Sequence, residues 1–306
     1  MQGDHFFKIK NLVYTDIGMN ALATQLAGLR LAPVQCKGWG HPVTTGLPTM
    51  DYYLSSELME PENGRNHYSE ILVRLPQLAL AYKPPILPPQ PRKRESFGIR
   101  PEAFVYLTTQ SLFKYLPQFD YIFPRIAGEV PHAQFVFISH STSAVTEQFQ
   151  RRLDRAFAAF NLDSDKFCLY LPRLNFPDFL SLNLAGNALL DSLHWSGGKT
   201  TLEGVWSGLP VVTCPGNFMR GRHSYAMLTM MGIDSTIAAD ESNYIQIAVR
   251  LGMDDNWYAA QKKLIADNKG KLFNDRSCIR GLENFYRGVV RNSVPDPAIA
   301  KVADPT

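Results

Sequence analysis

The chain is poor in cysteine, and its cysteines form no pattern. Cys36, Cys168, Cys214 and Cys278 are far apart, with no Cys-x-x-Cys pair and no histidine at ligand spacing. This spacing argues against a disulfide framework and against a metal site. It is typical of proteins in the reducing cytoplasm. No apolar run is long enough to span a bilayer, and the N-terminus lacks the apolar core of a signal peptide. We therefore expect a cytoplasmic protein without a membrane span.

Charge is also not concentrated anywhere. The net charge is +3, and lysine and arginine are scattered along the chain. A nucleic-acid-binding surface needs a basic stripe to neutralise phosphates, so we expect no nucleic acid partner. A small anionic ligand needs only one or two cations and some backbone N–H groups, which this composition allows.

A proline-rich stretch divides the chain, which at 306 residues is long enough for two α/β domains. Residues 83–94 read KPPILPPQPRKR, and because proline lacks an N–H and fixes φ, this stretch is predicted to be an extended connector. The predicted divisions are an N-terminal piece (1–82), a linker (83–95), a longer domain (96–275), and a C-terminal helix that returns to the first piece, with a flexible tail (276–306).

The longer domain alternates strand and helix patterns. Short apolar runs suit strands covered on both faces, and they lie at Phe104–Leu107, Phe135–Ile138, Phe167–Leu171, Ala188–Leu190 and Pro210–Thr213. The clearest helical stripe consists of Val145, Phe149, Leu153, Phe157 and Phe160. This alternation predicts βαβ units and a doubly wound parallel sheet of the Rossmann type.

The N-terminal piece has a weaker pattern of the same kind. Strands are predicted at Leu12–Thr15 and Pro33–Lys37, with a helix at Asn20–Leu29 between them. These elements are interpreted as the end of a second Rossmann-like domain. Cys278–Val289 has an amphipathic pattern and is predicted to be a terminal helix.

The segment Asp191–Gly216 has the features of an anion site. A strand leads into Gly197 and Gly198, and a helix follows in which Thr200 and Thr201 lie beside the free N–H groups of its first turn. Such a turn suits a diphosphate, although a tight strand–helix turn also needs glycine for geometry alone. A Walker A loop is rejected, because Leu193 occupies the position of its first glycine. Glu203, one turn into the helix, is placed to accept hydrogen bonds from a ribose.

Several motifs resemble one family. The pattern GG-x-TT-x-E-x₄-G-x-P-V-V at 197–212 is typical of the C-terminal domain of GT-B glycosyltransferases. The segments GWGHPVTTGLPTMDYYLSSELMEP (38–61), HYSE (67–70), VRLP (73–76) and FVYLTTQSLFKYLP (104–117) resemble bacterial proteins similar to the O-linked N-acetylglucosamine transferases, of GT41 type. The resemblance runs from about Asn11 to Val290. It implies a GT-B fold. The start of the chain departs from the family, because only the end of the acceptor-side subdomain is expected here, and we interpret the chain either as a fragment of a longer polypeptide or as a divergent protein that binds the donor and transfers poorly.

The resemblance also implies an activity and a set of residues. The expected reaction moves a sugar from a UDP-sugar to a protein hydroxyl, without a metal or other cofactor. Lys114 would neutralise the diphosphate, and His41 would face the sugar and accept a proton, or else only fix the turn beside Pro42. The other expected donor contacts are Gln110, Ser111, Gly197, Gly198, Lys199, Thr200, Thr201, Glu203 and Arg222. Lys199 departs from the animal and plant enzymes, which have histidine there, and Arg222 is equally compatible with a surface salt bridge.

Three alternatives are weighed against these interpretations. The chain is compatible with a non-catalytic UDP-sugar-binding or assembly module. A nucleotide-sugar 2-epimerase would share the GT-B fold and the glutamate on the ribose, but it would need acidic and histidine residues from a complete first domain, which this chain is not expected to have. Asp163-Ser164-Asp165 matches the metal-binding DxD pattern of GT-A glycosyltransferases, but it follows a helix with no second ligand cluster, so we interpret it as a polar turn.

Overall fold

The computed structural model describes residues 9–293 of the chain, with side chains as far as Val289. The chain forms two compact units: unit 1 is Met1–Ala81 with Arg276–Thr306, and unit 2 is Tyr82–Asp275. The strands are β1 (Asn11–Tyr14), β2 (Val34–Gly38), β3 (Tyr52–Ser56), β4 (Ile71–Leu75), β5 (Phe104–Thr108), β6 (Ala133–Ile138), β7 (Cys168–Leu171), β8 (Ala188–Leu190) and β9 (Val211–Val212). The α-helices are α1 (Ala21–Ala27), α2 (Ile122–Glu129), α3 (Ser143–Ala158), α4 (Phe176–Ala185), α5 (Lys199–Trp206), α6 (His223–Met231), α7 (Glu241–Met253), α8 (Asp255–Asn268) and α9 (Ser277–Ser293).

Unit 1 is built on a parallel sheet in the order β1-β2-β3-β4. The predicted strands and helix of the N-terminal piece are confirmed as β1, α1 and β2, with small shifts at their ends. The helix begins after Asn20, whose side chain accepts a hydrogen bond from the Ala23 N–H at 3.0 Å. Val289 of α9 lies in one core cluster with Cys36, Leu54 and Leu75, so α9 packs on the sheet. The strands β3 and β4 were not predicted.

Unit 2 contains a parallel sheet in the order β7-β6-β5-β8-β9. All five predicted strands are present, which confirms the α/β class of this unit. Two of them are shorter than predicted, since Phe167 lies before β7 and β9 is limited to Val211–Val212. Pro210 has no N–H for the ladder, and Thr213 forms only an isolated bridge with Ile237.

The amphipathic helix α3 covers one face of the unit 2 sheet. Phe149, Leu153 and Phe157 are buried in the main core, as their spacing predicts. The prediction was wrong for Phe160, which lies beyond the helix and is 44% exposed. The chain turns there because Asn161 adopts a left-handed conformation with φ of 57°.

The acidic segment that follows is a polar turn, as predicted. Asp163 accepts a hydrogen bond from the backbone N–H of Asp165 at 3.1 Å and so caps a short 3-10 helix at Ser164–Lys166. This local use of the Asp163 side chain confirms the interpretation of the DxD pattern as a turn.

The strand order of unit 2 reverses at β5. Strands β6 and β7 lie on one side of β5, and β8 and β9 lie on the other. Ligands of doubly wound sheets bind outside the carboxyl ends of the strands at such a reversal. The loops that follow Thr108 of β5 and Leu190 of β8 therefore mark the place to look for a site.

Candidate functional site

The loop after β5 presents an amide and an ammonium group. Gln110 is only 4% exposed. Its side-chain N–H donates to the hydroxyl of Thr200, and its carbonyl oxygen accepts from Lys114 Nζ at 3.0 Å. Three predicted site residues, which are up to 90 positions apart, thus meet in one chain of hydrogen bonds.

The loop after β8 ends in an uncapped helix. Gly198 is the N-cap of α5, and no side chain bonds to the N–H groups there. The N–H groups of Thr201 and Leu202 donate to the Gly198 carbonyl at 3.1 and 3.2 Å. Lys199 and Thr200 come before these two residues in the first turn of α5. The N–H groups at the start of an α-helix have no partner within the helix and are available to an anion.

Gly197 is required by close packing at this turn. A Cβ atom at Gly197 would collide with Gln110 Nε2 and with Thr201 Oγ1, and would lie 3.0 Å from Thr200 Oγ1. A Cβ at Gly198 would meet nothing closer than His223 Nδ1, at 4.0 Å. Glycine at 197 thus allows the turn to approach the β5 loop, while the predicted approach of its backbone to a ligand stays a prediction.

A buried carboxylate, which sequence reasoning did not single out, lies beneath the turn. Asp191 accepts hydrogen bonds from the Gly197 N–H at 2.7 Å, from the Ser196 hydroxyl at 2.6 Å and from the Thr213 hydroxyl at 2.8 Å. Burial raises the pKa of Asp191, and these donors oppose the rise by stabilising the ionised form.

Lys114 brings a positive charge to the site. Burial lowers the pKa of Lys114, and the negative charge of Asp191 acts in the opposite direction. His223, the first residue of α6, is buried, and both burial and the nearby Lys114 charge lower its pKa to about 4. The imidazole is therefore neutral at physiological pH. The sequence signal for His223 was weak, because it belongs to none of the shared motifs.

The exposed Lys199 and the buried Glu203 form an ion pair on α5. The Lys199 ammonium lies 3.5 Å from Glu203 Oε1, and the Tyr82 hydroxyl lies 3.4 Å from the same oxygen. Burial raises the pKa of Glu203, and Lys199 opposes this rise. Lys199 is thus directed to Glu203 in this structure, one turn further along α5.

Ser111 and Arg222 have other surroundings. Ser111 is exposed and precedes the short 3-10 helix Leu112–Lys114. The Arg222 guanidinium donates to the Gly216 carbonyl at 3.3 Å and lies 4.4 Å from the centre of the Tyr225 ring. Their predicted contacts with the diphosphate stay predictions.

His41 belongs to unit 1, in the loop after β2. It is half-buried, and its carbonyl accepts hydrogen bonds from the Val43 N–H at 2.8 Å and the Tyr53 hydroxyl at 3.3 Å. Burial lowers the pKa of His41, and the positive charge of Lys37 adds to this effect. The imidazole is therefore held in its neutral form, which is able to accept a proton.

Two buried charges, which the sequence did not reveal, fix the His41 loop. Lys37 is 1% exposed and donates to the Val43 carbonyl at 2.7 Å. Glu70 accepts from the Thr44 hydroxyl and the Thr45 N–H, each at 2.7 Å. Burial lowers the pKa of Lys37 to about 8. The loop is thus anchored on both sides by charge-assisted hydrogen bonds.

A Gly18→Ala substitution should displace the His41 ring. Gly18 has φ of 91°, and a Cβ there would lie 2.5 Å from His41 Cδ2. Because the ring would move toward solvent, we expect the pKa of His41 to rise toward its ordinary value, as measured by NMR titration of the imidazole.

The matched control for this prediction is Gly46→Ala. Gly46 also has a positive φ, of 67°, but a Cβ there would meet nothing within 4 Å. Both variants carry similar backbone strain, of about 1–2 kcal/mol, so only the collision separates them. Equal His41 titration curves in the two variants would show that Gly18 does not position the ring.

Comparison with known proteins decides the family. The family model described as glycosyl transferase family 41 matches residues 92–282, which is more than half of the 306 residues. The chain belongs to glycosyl transferase family 41. The match includes every predicted site residue of unit 2, from Gln110 to Arg222.

Individual relatives of this family 41 chain are similar to it over most of its length. The probable UDP-N-acetylglucosamine–peptide N-acetylglucosaminyltransferase SPINDLY of Solanum lycopersicum is 27% identical over 273 residues, which are 86% of this chain and 28% of that protein. The SPINDLY protein of Arabidopsis thaliana is 28% identical over 268 residues, which are 85% of this chain and 28% of that protein. The chain thus spans less than a third of the length of these curated relatives.

A solved structure supports the fold. A mutant of the Thermobaculum terrenum O-GlcNAc transferase aligns with a TM-score of 0.80 and 26% identity, covering 93% of this chain and 54% of that one. This match confirms the predicted GT-B-type α/β fold. Within residues 9–293, no helix of the family 41 chain is long and apolar enough to cross a membrane.

Proposed function

We propose that this chain binds a UDP-sugar at the carboxyl ends of β5 and β8 and supports transfer of the sugar to a protein hydroxyl. The observation that carries the proposal is the cluster of Gln110, Lys114, Gly197 and Thr200 around the uncapped start of α5. Helix N-termini with a nearby cation are suited to diphosphates. The SPINDLY relatives are probable UDP-N-acetylglucosamine–peptide N-acetylglucosaminyltransferases, which supports the same donor and a peptide acceptor.

In the proposed reaction, the bond between the anomeric carbon and the diphosphate oxygen breaks, and the acceptor oxygen bonds to that carbon. UDP departs with the bonding electron pair, so negative charge develops on the diphosphate. Lys114 and the N–H groups at the start of α5 would stabilise this charge as fixed donors, without a metal. The acceptor proton passes either to His41 or to a donor phosphate oxygen. The neutral state of His41 supports the first route.

Glu203 is the proposed ribose contact. Its side chain is 4% exposed, and its oxygen Oε1 lies near the Tyr82 hydroxyl and the Lys199 ammonium. Both neighbours are donors, which leaves acceptor capacity on the carboxylate for ribose hydroxyls. Lys199 is proposed to hold Glu203 in place, in addition to any contact with the nucleotide.

Lys114→Ala should weaken UDP binding at least about tenfold, or about 1.4 kcal/mol. The variant removes the ammonium that donates to Gln110, and with it a positive charge beside the start of α5. The measurement is calorimetric titration with UDP. Lys263→Ala is the control, because Lys263 is an exposed lysine paired with Asp267 on α8. Absence of UDP binding in the wild type, or equal affinity in Lys114→Ala, would reject the proposal.

A product assay separates the remaining functions. UDP-N-acetylglucosamine is incubated with the protein and a peptide library, with and without EDTA. Modified peptide supports the proposed transfer, and its formation in EDTA supports metal independence. An epimerised nucleotide sugar would indicate a 2-epimerase, and binding without turnover would indicate a UDP-sugar-binding module.

A further inference from the structure

One carboxylate bonds to two residues of the turn at Ser196–Gly198. Asp191 directly follows β8 and is 5% exposed. One of its oxygens accepts from the Gly197 N–H, and the other accepts from the hydroxyls of Ser196 and Thr213. Because Thr213 follows β9, this single side chain ties the ends of two neighbouring strands to the turn.

The network continues from Asp191 into two helices. The Ser196 hydroxyl oxygen accepts from the Ser224 N–H of α6 at 2.9 Å. The Ser224 hydroxyl lies 3.0 Å from Thr201 Oγ1 of α5. The starts of α5 and α6 are therefore fixed relative to the carboxylate by buried hydrogen bonds, which are strong where water is excluded.

Asp191 also faces the cation of the site. Asp191 and Lys114 line the same small cavity, together with Tyr115, Asp120 and Tyr244. The carboxylate makes no ion pair with Lys114 shorter than the usual 4 Å limit, so its influence there is through charge. A buried ammonium is disfavoured by desolvation, and a nearby negative charge offsets this cost.

We propose that Asp191 is the positioning residue of the donor site, which holds the Ser196–Gly198 turn and places a negative charge in the same cavity as the Lys114 ammonium. This inference deepens the proposed function and rests on it for its role in catalysis. Asp191 is not a catalytic residue, because it acts through the turn and through Lys114. An Asn side chain at this position would retain the shape of Asp191 but lose the charge.

The other titratable groups around Lys114 do not supply this charge. Asp120 is bound to the Arg152 guanidinium, with 2.6 Å between the closest atoms. Burial raises the pKa of Tyr115 and of Tyr244, so both phenols stay neutral. His223 is neutral as well, with its pKa lowered to about 4. Asp191 is thus the carboxylate near Lys114 without a cationic partner of its own among the described contacts.

The deciding measurement is the pH dependence of amine labelling at Lys114, without any ligand. The folded protein is pulsed with an amine-reactive ester between about pH 7 and pH 11, and the Lys114 peptide is quantified by mass spectrometry. In Asp191→Asn, the labelling midpoint of Lys114 should fall by about half a pH unit or more, because desolvation is no longer opposed. The control is Asp267→Asn, which makes the same change of net charge on an exposed part of α8. An unmoved midpoint in Asp191→Asn would overturn the charge role.

Thr213→Val tests the positioning role and keeps both the carboxylate and the shape of the substituted side chain, and the Thr213 hydroxyl donates to Asp191. It removes one donor to Asp191, so the Gly197 amide should exchange with deuterium at least about threefold faster, while the Lys114 midpoint stays where it is in the wild type. Unchanged exchange would overturn the positioning role. This variant decides that role even where Asp191→Asn does not fold, as judged by circular dichroism.

Titration with UDP tests the proposed function separately from the role of Asp191. In one outcome, the wild type does not bind UDP while the Lys114 midpoint shifts in Asp191→Asn. This result rejects the donor site, but it keeps Asp191 as the group whose negative charge favours the protonated form of Lys114. UDP binding in the wild type, combined with an unshifted Lys114 midpoint in Asp191→Asn, supports the donor site and rejects the charge role of Asp191. A loss of UDP affinity in Asp191→Asn that becomes larger as the pH rises supports both the donor site and the charge role of Asp191.

Discussion

Gly197→Ala should lower the affinity for UDP by about 100-fold, or about 2.7 kcal/mol. The added methyl group would collide with Gln110 Nε2 and Thr201 Oγ1. Gln110 cannot yield freely, because its amide is bound at both ends, to Thr200 and to Lys114. The turn must therefore retreat from the β5 loop, which separates the start of α5 from the cation. Calorimetric titration with UDP measures the loss.

The control separates this local effect from general destabilisation. Gly128→Ala introduces the same methyl group on α2, where a Cβ would meet nothing within 4 Å. In a helix this change is expected to be neutral or slightly stabilising. Overpacking at Gly197 is expected to cost about 1–3 kcal/mol of folding stability, so melting curves accompany the titrations. Retention of UDP affinity within about threefold of wild type would show that the turn does not contact the nucleotide.

The sheet of unit 2 was predictable because its strands are covered on both faces. Phe104–Thr108 and Ala133–Ile138 are nearly continuous apolar runs, and both are almost entirely buried. Such runs distinguish a parallel sheet from amphipathic helices, whose apolar residues recur every three or four positions. The predicted crevice followed from the same pattern, since ligands bind where the strand order reverses.

The strands β3 and β4 were not predicted, because polar residues interrupt their apolar pattern. β3 ends in Ser55 and Ser56, which are buried polar residues bonded to Glu60 and to the Gln77 carbonyl. β4 carries Arg74 in its interior and has mixed exposure along its length. Each segment has an apolar run of only three residues, 52–54 in β3 and 71–73 in β4, before a polar residue interrupts it, so the strand signal in the sequence is weak.

The candidate site was predictable as a set of loops but not as a set of contacts. Gln110, Lys114 and Thr200 were singled out by motif, and the structure brings them together. Asp191 and His223 were not singled out, because their importance depends on burial and on neighbours distant in sequence. The roles of the predicted residues toward UDP stay predictions until binding is measured.

Arg152→Met should destabilise the fold by about 3 kcal/mol, which is the range for breaking a largely buried ion pair. Arg152 of α3 bonds to both oxygens of Asp120, at 2.6 and 2.9 Å, and to the Tyr115 carbonyl at 2.7 Å. Methionine keeps the packing of the aliphatic stem but leaves the Asp120 carboxylate without its partner. Chemical denaturation gives the change in the free energy of unfolding. The neighbouring Arg151→Met, which is exposed on the same helix, should change it by about 0.5 kcal/mol or less.

The pH dependence of this loss identifies Asp120 as its source. Burial raises the pKa of Asp120, and Arg152 opposes the rise. Without Arg152 the folded-state pKa lies further above the unfolded value, so the folded variant binds a proton more readily. The destabilisation should therefore be largest at neutral pH and shrink as the pH falls through the folded-state pKa. Asp120→Asn combined with Arg152→Met should recover most of the stability, because no unpaired charge stays buried. A loss that is independent of pH and unrelieved in the double variant would instead assign the effect to the Tyr115 carbonyl, and through it to the loop that carries Lys114.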